Sequence, residues 1–199
     1  MQSAVRKEIK RKMIHLSAMV IPIGYSFLPY DISLAALFIA TAIAVIFDIV
    51  KIKNRSFRLL IYRFFRDMFR HKETHYFNGG SFILFSALIC LLVFNKWIAI
   101  ISLTYIITGD VAAAIVGRLY GKHKVYGKHS VEGSLAFFVA ASIASSSLFW
   151  IPYDVVPVYY RISGALLAAL IEMIIIQVDD NLTVPILTGL MLQFALKIG

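Results

Sequence analysis

The sequence predicts an all-α fold. It reads as a polytopic integral membrane helical bundle of about seven transmembrane helices, with one further amphipathic helix lying in the interface. Residues 1–199 form a single membrane domain. Three observations carry this. The chain is 60% hydrophobic and only 16% charged, with a mean hydropathy of +0.80, whereas soluble domains are nearer half apolar and a quarter charged. Its apolar residues fall in runs that approach the roughly 20 residues needed to cross a hydrocarbon core of ~30 Å. Finally, 17 of the 20 Lys and Arg residues lie in connectors that alternate with the other connectors along the chain.

The first run, about 13–29, follows Arg6, Lys7, Lys10, Arg11 and Lys12. It has the outline of a signal peptide but no small-residue cleavage site near Phe27-Leu28-Pro29, so it is expected to stay attached. The second run covers 32–50. The connector 51–77 holds eight cations, and within it 55–70 is predicted to form a cytoplasmic interfacial helix. On a helical wheel, Arg55, Arg58, Arg63, Arg66 and Arg70 gather on one side, with Leu59 among them. Phe57, Leu60, Ile61, Phe64, Phe65 and Met68 gather on the other, the pattern of a helix lying on a membrane surface. Runs three and four cover 78–94 and 97–116. The connector 117–131 adds Arg118, Lys122, Lys124 and Lys128. Runs five, six and seven cover 132–151, 157–177 and 182–198, and an acidic connector occupies 178–181. Helices are expected because every backbone group in lipid needs an internal partner, and the alternation of a membrane barrel is missing from the sequence. Seven alternating spans place the 17 cations on one face, which the positive-inside rule makes cytoplasmic. The N-terminus is then inside and the C-terminus outside.

The formal net charge of +9 would suit a nucleic-acid partner, but its confinement to one membrane face argues against nucleic acid. The single cysteine, Cys90, excludes a disulfide framework or a cysteine-built zinc site.

The acidic residues are the stronger functional signal. A carboxylate inside an apolar span costs at least ~2.5 kcal/mol at mid-helix and normally marks function. Asp48 closes run two, Asp110 lies in the inner half of run four, Glu132 opens run five and Glu172 lies in the inner half of run six. Asp179, Asp180 and Asn181 precede run seven. All fall on the side of the basic connectors. Carboxylates beside Lys and Arg suit a magnesium–nucleotide site, where the metal takes carboxylate and phosphate oxygens and the cations neutralise phosphate. Structural duties compete for several of these residues. Asp48 also reads as a helix end beside Lys51. Glu132 also reads as a first-turn acid behind a Ser130 N-cap. Asp180 or Asn181 also reads as a cap, with Pro185 in the first turn. His15 reads as structural more readily than as a metal ligand, and His123 and His129 read as loop neighbours or solvated side chains. Packing alone does not require Asp110, although Ala113, Ala114 and Gly117 share its face.

The most informative stretch runs from Gly109-Asp110 through Gly117-Arg118, Gly121-Lys122, Lys124 and Lys128 to Ser130-Val131-Glu132-Gly133-Ser134. An acidic helix end leads into a Gly- and Lys-rich loop and then a helix N-terminus, and both kinds of backbone suit phosphate. A Walker loop is not present: Gly117–Lys122 is one residue too short and follows an apolar helix rather than a strand.

This pattern, Gly-Asp…Gly-Arg-x-x-Gly-Lys-x-Lys…Lys-x-Ser-x-Glu-Gly-Ser, resembles the CTP-using membrane superfamily of CDP-diacylglycerol synthases and CTP-dependent lipid kinases. Three further features are similar to the kinase branch, which includes dolichol kinase, phytol kinase and yeast-type diacylglycerol kinase. They are Arg11-Lys12-x-x-His15, Arg70-x-x-Glu73 followed by Gly79-Gly80-Ser81, and Glu172 with Asp179-Asp180-Asn181-Leu182-Thr183-x-Pro185; Asn78-Gly79-Gly80 departs from the family's more usual Thr-Gly turn. The likeness covers about residues 6–190. The His-Gly-Gly…Asp-Arg signature of the synthase branch is not in the sequence. The resemblance implies a CTP-dependent kinase, a transferase of lipid metabolism that phosphorylates a lipid alcohol: a polyprenol or dolichol, phytol or geranylgeraniol, or diacylglycerol. Its site would face the cytoplasm from the plasma membrane of a prokaryote. It further implies Mg²⁺ held by Asp110 with Asp179 or Asp180, and Glu132 or Glu172 as further acids. Arg118, Lys122, Lys124, Lys128, Ser130 and Asn181 would bind the nucleotide. His15, Asp48, Arg70, Glu73 and Asn78 stand as additional candidates. The partners implied are the lipid, CTP and the bilayer, with a homodimer allowed for. A phosphatidate cytidylyltransferase of the synthase type and a membrane transporter without chemistry are the competing readings.

Overall fold

The computed structural model describes residues 2–65, 76–125, 129–174 and 178–197. Among them it is all-helical: α1 (Gln2–Ser17), α2 (Val20–Phe27), α3 (Tyr30–Lys53), α4 (Arg55–Phe65), α5 (Gly79–Val93), α6 (Lys96–Leu119), α7 (Val131–Ser146), α8 (Val158–Ile174) and α9 (Asp180–Leu196). Each apolar run contains a helix. The first run departs from expectation because it is two helices, α1 and α2, separated at Ala18–Met19. Pro22 is the physical reason. A proline has no N–H and its ring crowds the carbonyl four residues earlier, so the Ala18 carbonyl instead accepts from the Ile21 N–H at 2.9 Å. Pro185 also departs from expectation, lying in the second turn of α9 rather than its first. There it removes the donor that would otherwise bond the Asn181 carbonyl.

Helix α6 is the centre of the bundle. Ile98 to Ile107 are all buried, and α7, α9, α1 and α2 pack around them. Helix α8 bridges α7 and α9, and α5 bridges α9 and α3. Small residues set the closest approaches. A Cβ on Gly133 of α7 would come within 3.2 Å of the Ala113 carbonyl on α6, and one on Gly109 would strike the Phe137 ring at 2.5 Å. In the loop, a Cβ on Gly121 would meet the Gly117 carbonyl at 2.2 Å. The glycines of this stretch therefore serve close packing of α6, its loop and α7. Among the described residues two helices, α3 and α6, are long and apolar enough to cross a membrane. Only 22% of the apolar window of α3 is buried, against 67% for α6. Phe38, Ile39, Ile43 and Ile46 of α3 are exposed, as are Leu59, Leu60 and Phe64 of α4.

Polar contacts separate the two ends of the bundle. At one end Lys96 reaches the Leu28 carbonyl and Asn95 N–H donates to Gln193. There Arg161, fully buried, donates to the carbonyls of Val156, Ser145, Leu148 and Ile151 at 2.8–3.3 Å. It thereby fixes the end of α7 and the turn that follows. The acidic candidates lie at the opposite end.

Candidate functional site

At that opposite end a cavity of about 980 Å³ opens between α1–α2 on one side and α3 and α5 on the other. Its polar end is lined by Arg11, Lys12 and His15 of α1, Asn78 to Ser81 at the start of α5, Asp110 of α6, His129, and Asp179 to Asn181 at the start of α9. Four helices thus deliver polar groups to one place. Two of them, α5 and α9, do so through their N-caps. Asn78 caps α5, its side chain accepting from the Ser81 N–H at 3.0 Å. Asp179 caps α9, accepting from the Asn181 backbone at 3.1 Å and from its side-chain amide at 2.7 Å. Asx side chains at these positions satisfy N–H groups that have no partner within the helix.

Asp110 receives the Lys12 ammonium, and its Oδ2 lies 3.5 Å from His15 Nε2. Lys12 and His15 are three residues apart and so share one face of α1. Glu8, on the same helix, takes both Arg11 and Arg118, the latter at 2.7 Å. Glu172 and His129 form a buried pair at 2.7 Å. With Asp180 they place one ligand atom each within 4.8 Å of one another. The second oxygen of Glu172 is buried without a hydrogen-bond partner, as is the side-chain oxygen of Asn181. An oxygen-rich group with an orphaned carboxylate oxygen is suited to a divalent cation.

Asp48 has another set of partners. It is fully buried and accepts from Lys51 at 2.5 Å, the Asn78 backbone at 3.0 Å, the Asn78 amide at 2.9 Å and the Ser81 hydroxyl at 2.6 Å. Both its oxygens are engaged in tying α3 to the cap of α5.

The structure therefore brings Asp110, Asp179, Asp180, Asn181, His15 and Asn78 into one cavity, with Glu172 reaching it through His129 and Asp180. It holds others apart. Glu132 pairs with His123, at 2.7 Å to the ring and 3.2 Å to the backbone N–H. Lys122 and Lys124 are exposed on the same loop. Ser130 is the buried N-cap of α7, accepting from Gly133 N–H at 3.2 Å. Arg118 faces Glu8. Arg70, Glu73 and Lys128 lie outside the described residues. Sequence reasoning did not place His129 in the cavity, nor Glu8 beside it as the partner of Arg11 and Arg118. Glu8 gives the signal of an acid among cations at helical spacing. His129 gives only its place beside a helix cap, because its partner is remote in sequence.

Fold and site together define a helical bundle with an acid- and base-lined cavity at one end and an apolar extension of that cavity. Comparison with known proteins is consistent with the motif pattern. The chain is 33% identical to an uncharacterized protein of Rickettsia prowazekii, over 90% of each chain. It is 29% identical to the CTP-dependent diacylglycerol kinase 1 of Saccharomyces cerevisiae, over 96% of this chain and 74% of the yeast one. It is 28% identical to the protein of the same name from Schizosaccharomyces pombe, over 73% of this chain and 72% of that one. No protein-family model matches, and no solved structure matches significantly. These similarities, over most of the chain, support the CTP-dependent lipid kinase family.

Proposed function

We propose that the protein transfers the γ-phosphoryl group of CTP to the hydroxyl of a membrane lipid alcohol of the diacylglycerol class, working from within a membrane and on its cytoplasmic side. The observation that carries this reading is the continuity of the cavity. One end gathers carboxylates, cations and an amide, and the other is walled by Ile, Leu, Ala and Phe side chains. A water-soluble phosphoryl donor needs the first, and a hydrocarbon-bearing acceptor needs the second. The exposed apolar faces of α3 and α4 support immersion in lipid, and the one-sided charge supports the orientation.

Phosphoryl transfer needs positioning and charge neutralisation more than covalent help from the protein. Asp110, Asp179 and Asp180 of the polar end are assigned to Mg²⁺, which when bound would neutralise phosphate oxygens; the ligand atoms that converge within 4.8 Å are those of Asp180, Glu172 and His129, and the orphaned Glu172 oxygen fits such an ion. Arg118, Lys122, Lys124 and Lys128 are assigned to the triphosphate. Arg11 and Lys12 add two cations from the cavity wall. Glu132 acts at one remove, holding His123 and with it the loop that carries these lysines. As the lipid oxygen bonds to the γ-phosphorus, the bond to the bridging oxygen breaks, CDP leaves with its electrons, and the hydroxyl proton passes to a basic group of the polar end.

The test uses purified protein, vesicles containing diacylglycerol, a polyprenol or phosphatidate, and CTP labelled at either the α or the γ phosphorus. Label should reach diacylglycerol from the γ position alone. Label arriving from the α position would instead identify a cytidylyltransferase, and lipid left unlabelled would remove the kinase reading.

A further inference from the structure

The apolar end of the cavity has a shape of its own. On α3 its lining recurs at Ser33, Leu37, Ala40, Ala44 and Phe47, one stripe of the helix. At 1.5 Å per residue this stripe is about 21 Å long. Ile21 and Gly24 of α2 face it, and Ile83 and Leu84 of α5 lie deeper. The rim is open, since Ile14, Val20 and Leu28 are all exposed. Two details point to an occupant. A Cβ built on Gly24 meets no atom within 4 Å, so that residue borders empty space. Where the apolar and polar ends join, His15 Nε2 is buried without a hydrogen-bond partner, 3.5 Å from Asp110 Oδ2.

We propose that this groove seats the hydrocarbon chains of the lipid alcohol, which enter sideways between α2 and α3, and that Gly24 and Ala40 set the bulk of chain admitted. The inference deepens the lipid-kinase reading and rests on it. One leaflet contributes about 15 Å of a ~30 Å hydrocarbon core, so a groove of about 21 Å takes the chains of one leaflet along their length. Chains lying in it keep the direction they have in the membrane. Their hydroxyl then arrives beside His15 and Asp110 without leaving the depth of the interface. The cavity volume of about 980 Å³ lies at the upper end for ligand sites, as a substrate of two chains requires.

Gly24→Leu and Ala40→Leu test the groove. Leucine at position 24 favours the helix over glycine and projects into the void. Each variant is assayed with dioleoylglycerol and with dioctanoylglycerol in detergent micelles. Turnover of the dioleoyl lipid relative to the dioctanoyl lipid should fall by at least about tenfold, the scale of steric discrimination in apolar pockets, with the KM for CTP unchanged. Equal losses on both lipids, or none on either, would overturn the assignment. A second readout needs no phosphoryl transfer: a diacylglycerol carrying a photoreactive diazirine in its acyl chain should label α2 and α3 of the wild-type protein. Labelling confined to other helices refutes the groove even in an active kinase. Labelling of α2 and α3 in a protein that moves no γ-phosphate keeps the groove and refutes the kinase reading.

Discussion

Asp110 is the residue on which the site turns. It meets Lys12 and His15 of α1 at the head of the cavity. Asn in its place would keep an oxygen for the Lys12 ammonium, so the bundle should survive, but it would no longer bring a negative charge to a cation. Asp110→Asn should therefore lower kcat by about a thousandfold, roughly 4 kcal/mol of barrier, with insertion and thermal unfolding in detergent close to wild type. Normal turnover by this variant would take Asp110 out of the chemistry. The residue was legible in the sequence because an acid within an apolar run has few structural explanations. The His129–Glu172 pair was not legible. Neither residue shows its partner locally, and only the packing of α8 beside α7 and α9 brings them together.

At the scale of elements, the apolar runs announced their helices because a run of that length and composition has few other ways to satisfy its backbone in lipid. The break between α1 and α2 was missed, because the run 13–29 reads as one apolar span unless Pro22 is given its weight. What pattern could not supply was how neighbouring helices are joined. Asp48 reads equally well as a helix end or as a ligand until Asn78 and Ser81 are seen donating to it. Removing it breaks the buried ion pair with Lys51 and takes the acceptor from the Asn78 and Ser81 groups at the cap of α5. Asp48→Ala should thus destabilise the protein by about 3–5 kcal/mol, the usual cost of breaking a buried pair by removing one partner. A double variant with Lys51→Met should recover part of the loss, both read as the shift in detergent unfolding. An Asp48→Ala protein as stable as wild type would mean that α3 is held to α5 by its apolar contacts alone.

The whole molecule is polarised. Among the described residues, most acids and most cations occupy one end, while the other has Lys96 over the Tyr25 and Trp97 rings and the Arg161 cluster. That polarity was legible from counting charges by connector, because the count needs only the alternation of runs and connectors. Which residues line the cavity was not, since Glu132, Lys122 and Lys124 are neighbours of Asp110 in sequence but are not among the residues that line its cavity. If the orientation drawn from the charges is right, a reporter inserted beside exposed Asp154, between α7 and α8, should be reached by membrane-impermeant reagents added outside intact cells. Reaction only after the cells are opened would invert the topology.

The Arg161 cluster bears on how the molecule can move. A single guanidinium fastens four carbonyls around the end of α7, and the glycine contacts fasten α6 to α7 at the other end. Helices α6–α8 are thereby braced at both ends, as the fixed jaw of a vice. Helices α2 and α3, with the break at Ala18–Met19 before them and an open seam between them, are not braced in this way. A bulky guest entering by that seam would part α2 from α3, so Asp110 on the braced α6 can keep its place while the cavity widens.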